Sequence, residues 1–452
     1  MSEERKNIVP IVVAFLAGVA VAAIVAFLAF GQKGASAKQE KPAQVEAGGT
    51  EAAQSESESD KAADASGEIQ AESATSEAAK TDSAVSETAA SEPAAKSESE
   101  KADGAAAAGG DIDYAVTFPS WNPDSQSLGE LVDFVAAVTD EESPEYLDPA
   151  DRIATFDMDG TILCEKAPVY VDYCLTMYRV LDDPTFDATD EERDAMQQVR
   201  DHAYSKGETF HPETITKHDL VASAFAGMTP EEFRDYVVDF ADKTDVVGFE
   251  GMTYGQSFYQ PMIEVIDYLK ANDFDVWMVS ACEREVVRAL VERYDIPYDH
   301  VVATDVPYYA SGKGEDKAAD DYNMGQDEEI LLGAPLDEVE CGKSGKPAAI
   351  VREIGKRPVL AFGNSSGDYS MLNFAEGNPE HTGMGFFVVC DDTEREYGSD
   401  EKAAEYYEKV EKEGWTPFSM ANDWKTIYGE EVQKTELPGV ETEEEEELLN
   451  AA

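Results

Sequence analysis

The stretch Arg152–Leu163, RIATFDMDGTIL, decides the fold. Ile153 to Phe156 is a short apolar run of the kind that fills a buried strand, and it ends on a carboxylate. Asp157 and Asp159 stand two residues apart, followed by Gly160 and Thr161, which permit a tight turn. A helix cap needs one carboxylate. Two at this spacing, just past a strand, can address one phosphate, the first as nucleophile and the second as general acid and base.

Working outward, the same theme recurs. Phe274–Ser280 (FDVWMVS), Pro358–Gly363 (PVLAFG) and Phe386–Asp391 (FFVVCD) are further apolar runs ending in small or polar residues, and with Arg152–Asp157 they read as buried parallel strands. Amphipathic stretches such as Pro261–Asn272 and Glu283–Tyr294 lie between them, which gives the strand–helix rhythm of an open α/β sheet. In such sheets chemistry sits at the carboxyl ends of the strands. More than a hundred residues separate the first strand from the next, far too many for a crossover. Val169–Val180, Glu191–Tyr204 and a stretch opened by Thr229-Pro230-Glu231-Glu232 read there as helices; the last has an N-cap, a Pro at the first position and a capping-box Glu. The interval is therefore an inserted helical domain, placed at about residues 166–250 within a folded domain of 111–429.

Three more strand-end signals follow in order. Ser280 offers a hydroxyl, and amides at an expected helix start, to phosphate oxygens. Lys346 in GKPAAIVREI opens a helix, where its charge opposes the helix dipole unless something anionic offsets it; Lys343 is its rival. Asn364 and Asp368 in FGNSSGDYSML follow a strand and offer oxygens to a hard cation. Taken singly, the last three are also what an N-cap, a surface lysine and a turn look like.

In this order the motifs resemble the haloacid dehalogenase-like hydrolase superfamily, and within it the phosphoserine-phosphatase-like phosphatases with a helical cap. The resemblance spans roughly Arg152–Tyr428 and includes DGTILCEKAP, AFAGMTPEEF, GKPAAIVREIGKRPVLAFGNSSGD, DDTERE and NDWK. It implies a Rossmann-like parallel sheet with an inserted cap. It also implies that Asp157 attacks phosphorus, Asp159 serves as general acid and base, and Ser280 and Lys346 bind phosphoryl oxygens. Mg²⁺ would be held by Asp157, the Asp159 carbonyl and oxygens of Asn364 or Asp368. Branches that cleave C–Cl or C–P bonds lack an acid at the position of Asp159, so C–O–P cleavage in small phosphorylated metabolites is the expected reaction. Many relatives carry Asp where this chain has Asn364, which lowers the charge of the cation site. Glu165 stands one position earlier than the substrate-recognising Glu of phosphoserine phosphatases, so phosphoserine is not assigned. Cys164, Glu165 and Lys166 are placed facing the cap, with Lys217 and His218 as cap candidates. A binding module using the fold without catalysis, and a phosphotransferase or mutase working through the same aspartyl-phosphate, are the alternatives.

The rest of the chain is of a different kind. Among 452 residues, 95 acidic against 35 basic side chains give a net charge of −60, which excludes nucleic acid as the main partner. Ile8–Phe30 carries no charge and reads as a transmembrane helix, about 34 Å long at ~1.5 Å per residue, after a short tail at 1–7. A cleaved signal ending at Ala35-Ser36-Ala37 is the rival reading. Residues 31–110 contain no aromatic residue and no Leu, and read as a disordered Ala/Ser/Glu-rich linker. Such a stalk suits a domain outside the cytoplasm, an orientation that protease added to intact cells would test. An acidic disordered tail is expected over 430–452, with Glu443–Glu447 an unbroken run. The five cysteines, at 164, 174, 282, 341 and 390, form no CxxC or Cys/His cluster, so zinc is not expected; Cys282 reads as a buried free thiol. The sequence assigns no oligomeric state.

Overall fold

The computed structural model describes residues 112–166, 168–207, 210, 212, 222–313, 321–334 and 341–439. The predicted tail at 1–7, membrane segment at 8–30 and linker at 31–110 lie outside the described residues, as do Lys217, His218 and Glu443–Glu447. Among the described residues no helix is long and apolar enough to cross a membrane.

In chain order the strands are β1 (Ile153–Phe156), β2 (Phe249–Glu250), β3 (Asp275–Glu283), β4 (Val301–Thr304), β5 (Tyr308–Ala310), β6 (Ile330–Leu332), β7 (Leu360–Gly363), β8 (Met384–Val389), β9 (Thr416–Ser419) and β10 (Gln433–Lys434). Six of them form one parallel sheet in the order β4-β3-β1-β7-β8-β9. The chain leaves β1, runs out to β3 and β4 on one side, then returns to build β7, β8 and β9 on the other. β1 is thus the strand where the direction of winding reverses, and a crevice opens past its carboxyl end. The four strands read from sequence are all present, each shifted at its ends by a few residues. β4 and β9 were not anticipated. In β9, Pro417 lacks an N–H, and the strand tolerates it because it lies at the sheet's edge.

The main helices are α1 (Gln126–Thr139), α2 (Val171–Met177), α3 (Asp190–Lys206), α4 (Pro230–Lys243), α5 (Gln260–Ala271), α6 (Arg284–Val291), α7 (Gly345–Glu353), α8 (Tyr369–Glu376) and α9 (Asp400–Glu413). Side chains alternate across the sheet, so each face has its own core. Phe156, Phe362, Phe386 and Phe418 pack in one, with Phe156 stacked on Phe362 at 4.1 Å; Val279, Ala361, Phe387 and Trp415 pack in the other. Fully burying side chains of this size is favourable by roughly 1.5–3 kcal/mol each.

Helices α2, α3 and α4 fill the interval between β1 and β3. The Thr229 box forms as its sequence dictates: the Glu232 amide donates to Thr229 Oγ1 at 3.1 Å, and the Thr229 amide donates to Glu232 Oε2 at 3.0 Å. Thr189 and Glu192 make the same motif at the start of α3. The tail boundary at Glu430 needs correction. Gln433 and Lys434 pair antiparallel with Glu250 and Phe249, and Leu437 is buried, so ordered chain continues through Gly439. A charge-rich segment reads as solvated, but one apolar anchor and an open strand edge suffice to hold it down.

Candidate active site

Three adjacent strand ends deliver the site. Asp157 follows β1, Ser280 lies in β3 and Asn364 follows β7, while Lys346 comes from the first turn of α7. Asp157, Asp159, Ser280, Lys346 and Asp368 line one cavity of about 490 Å³, together with Lys343. Asn364 stands beside them, in the wall of a neighbouring cavity.

Lys346 is the hub. It is 1% exposed, and its Nζ donates at 2.6 Å to Asp157 Oδ1, to Asp368 Oδ1 and to the Val279 carbonyl. Its rival Lys343 also borders the cavity, but its amide serves the turn by donating to the Gly367 carbonyl. Burial disfavours the Lys346 ammonium, yet Asp157 and Asp368 outweigh that and hold it above the usual lysine range. Burial, then the charge of Asp368, pushes the Asp157 carboxyl up against the pull of Lys346, to about 7. One ammonium shared between two carboxylates leaves each with a partial counter-charge, and the Asp159 carboxyl in the same cavity adds to the excess.

The backbone closes around this hub with little room. Gly160 has φ +81°, and a Cβ there would meet the Asn364 amide nitrogen at 1.9 Å. At Gly363 a Cβ would come within 2.3 Å of the Asp368 Cβ. Asp368 holds the loop after β7 shut, since its Oδ2 accepts from the amides of Asn364 (3.1 Å) and Ser365 (3.0 Å). Both of its oxygens are thereby engaged within the protein.

The Asn364 amide oxygen lies 3.3 Å from Asp157 Oδ2 and 3.1 Å from the Asp159 carbonyl oxygen. Three acceptors facing one another are satisfied in two ways: the amide turns over and donates its N–H, or a cation lies between them. The oxygen-only donor set and the excess of carboxylate suit a hard divalent cation such as Mg²⁺. Among the described residues no group of three or more His, Cys, Asp and Glu side chains is placed to hold a metal ion.

The sequence reading thus places Asp157, Asp159, Ser280, Lys346, Asn364 and Asp368 together, with two corrections. Ser280 does not open a helix: β3 runs on to Glu283, Glu283 caps α6, and Ser280 Oγ accepts from the Cys282 amide at 3.1 Å. Asp368 is engaged with Lys346 and the loop amides, so its oxygens are not those converging with Asp157 and the Asp159 carbonyl. Thr161, read as a turn residue, has a further role. It is fully buried, and its hydroxyl lies 3.3 Å from Asp157 Oδ2 and 3.4 Å from Asn364 Oδ1. A hydroxyl four residues after the first carboxylate was the available signal. No disulfide joins the five cysteines, and Cys282 is buried.

The fold and site define an α/β protein with a lysine-bridged carboxylate pocket at the switch point of a parallel sheet. Residues 154–373 match the family model of the haloacid dehalogenase-like hydrolases. None of the curated proteins matches the chain. Solved structures similar to it include a protein with unknown function from Bordetella pertussis Tohama I, at 14% identity and TM-score 0.37, covering 59% of this chain and 97% of that one. A conserved functionally unknown protein from Anaerococcus prevotii is 15% identical with TM-score 0.42, covering 66% and 92%. A phosphoserine phosphohydrolase-like protein from Francisella tularensis is 13% identical with TM-score 0.30, covering 53% and 87%.

Proposed function

We propose that this domain is a Mg²⁺-dependent phosphomonoesterase that acts on small phosphorylated metabolites through an aspartyl-phosphate on Asp157. The observation that carries this reading is Lys346 bonded at 2.6 Å to both Asp157 and Asp368, beside the Asn364 side-chain amide, which lies against Asp157 Oδ2 and the Asp159 carbonyl. Lys346 orients Asp157 and adds positive charge where the phosphoryl group arrives. Ser280 offers its hydroxyl to a phosphoryl oxygen from the neighbouring strand. A bound Mg²⁺, held by Asp157, the Asp159 carbonyl and Asn364, would supply further electrostatic stabilisation of the transferring group.

In the first step an Asp157 carboxylate oxygen attacks phosphorus, the bond from phosphorus to the ester oxygen breaks, and the Asp159 carboxyl gives its proton to that oxygen. In the second, the Asp159 carboxylate takes a proton from water, the water oxygen attacks phosphorus, and the bond to Asp157 breaks, which releases phosphate. Thr161 and Lys346 keep Asp157 in place through both. The test is phosphate release by the purified full chain from a panel of phosphomonoesters, with and without Mg²⁺, beside Asp157→Asn. No release from any ester, or release undiminished by the substitution, sinks the reading.

A further inference from the structure

A second cavity, of about 460 Å³, adjoins the first and shares Glu165, Lys402 and Tyr406 with it. Three lysines border it, each from a different part of the chain: Lys166 after β1, Lys402 in the first turn of α9, and Lys434 in β10. In a chain with 35 basic residues against 95 acidic ones, three lysines on one cavity run against the background. None of the three is ion-paired to a carboxylate among the described residues. Lys166 Nζ donates to the Gly207 carbonyl at 3.1 Å, and Lys434 Nζ to the carbonyls of Thr393 (2.8 Å) and Glu396 (3.0 Å). Lys402 is exposed, and its ammonium makes no hydrogen bond among the described residues. Its place in a first helical turn is one the helix dipole disfavours.

The wall also holds Glu165, Glu401 and Glu405. Glu401 and Glu405 are exposed, as Lys402 is, and water and salt screen all three. Burial pushes the Glu165 carboxyl up, against the pull of Lys166 and Lys402, at the junction of the two cavities. Of the charged groups on this wall that are not exposed, two are lysines, Lys166 and Lys434, and one is a carboxylate, Glu165, in a protein with a net charge of −60.

Building on the phosphomonoesterase reading, we propose that this cavity receives the leaving group, and that Lys166, Lys402 and Lys434 select one bearing a second anionic group, a carboxylate or a further phosphate. Lys402 and Lys434 lie beyond residue 373, where the family match ends. The selecting charges thus come largely from the C-terminal elements that fold back over the site.

Ethyl phosphate, 2-phosphoglycolate and ethylene glycol bisphosphate differ in whether the leaving group carries no second anion, a carboxylate or a phosphate. For the full chain with Mg²⁺, kcat/KM should favour at least one charged ester over ethyl phosphate by about tenfold. Lys402→Gln should reduce that ratio several-fold, and Lys402→Arg should restore it. A preference for one charged ester over the other tells carboxylate from phosphate. Equal kcat/KM for all three esters, or a preference that neither Lys402→Gln nor Lys166→Gln moves, overturns this proposal and leaves the phosphatase reading standing. Release from none of the three, with none from the wider panel, overturns both.

Discussion

The two adjoining cavities use lysine in opposite ways. In the first, Lys346 is buried and bonded to two carboxylates and a carbonyl, so its charge is already balanced by the protein. In the second, Lys166 and Lys434 touch main-chain carbonyls, and the Lys402 ammonium has no hydrogen-bond partner among the described residues, so those charges are available to an incoming anion. A saturated cation fixes geometry, while an unsaturated one confers selectivity. Under the proposed function the first cavity needs extra positive charge before it can hold a phosphoryl group, which the proposed Mg²⁺ beside Asp157, the Asp159 carbonyl and Asn364 would supply.

Changes at four positions break or sharpen this contrast. The largest effect is expected from Asp157→Asn, which removes the proposed nucleophile and should lower kcat on the order of 10⁴-fold or more, measured by phosphate release. Next is Lys346→Met. If its charge balances two buried carboxylates, the substitution should cost about 3–5 kcal/mol in denaturant unfolding, besides a loss in kcat of about 10²–10³-fold. A variant as stable as the parent would show that Lys346 is not the balanced cation described here.

Asn364→Asp tests the charge deficit directly. It adds a carboxylate to the facing oxygens and should lower the Mg²⁺ concentration for half-maximal activity by about tenfold, and Asn364→Ala should raise it. Unchanged Mg²⁺ titrations for both would remove Asn364 from the cation site.

The smallest effect concerns Glu396, behind the second cavity, whose buried carboxylate accepts from the Tyr428 hydroxyl and, at 2.7 Å, from the Tyr397 amide. Burial raises its carboxyl from 4.5 to about 7. A raised acid binds its proton more tightly when folded, so its contribution to stability is full below about pH 4.5 and is lost as pH rises through 7. Melting temperatures of Glu396→Gln should therefore fall less between pH 5 and 8 than those of the parent. Parallel profiles would show that Glu396 is not the titrating group.

Much of this was legible in the sequence because strand ends carry local signals. An apolar run followed by Asp-Met-Asp-Gly-Thr fixes both the strand and the turn, and the Gly160 requirement follows from a backbone only glycine adopts readily. The capping box at Thr229 is equally local. Ser280 was misread because a Ser after an apolar run looks like a helix cap, and only the pairing of β3 with β4 carries the strand on to Glu283. β9 escaped because Pro417 argues against a strand, whereas β4, four residues long like β1, has no such reason.

The sequence alone determined four of the six strands of the main sheet, the inserted helices and the residue types at those strand ends, since these depend on side-chain pattern within a few positions. Which role each residue could take was decided only by the tertiary structure. Strand order places Asp157 between Ser280 and Asn364, and turns Asp368 toward Lys346 and away from the facing oxygens. It also folds Lys402 and Lys434, more than two hundred residues downstream, against the cavity beside Asp159. Electrostatic partners are chosen by distance in space, and a one-dimensional pattern does not contain that distance.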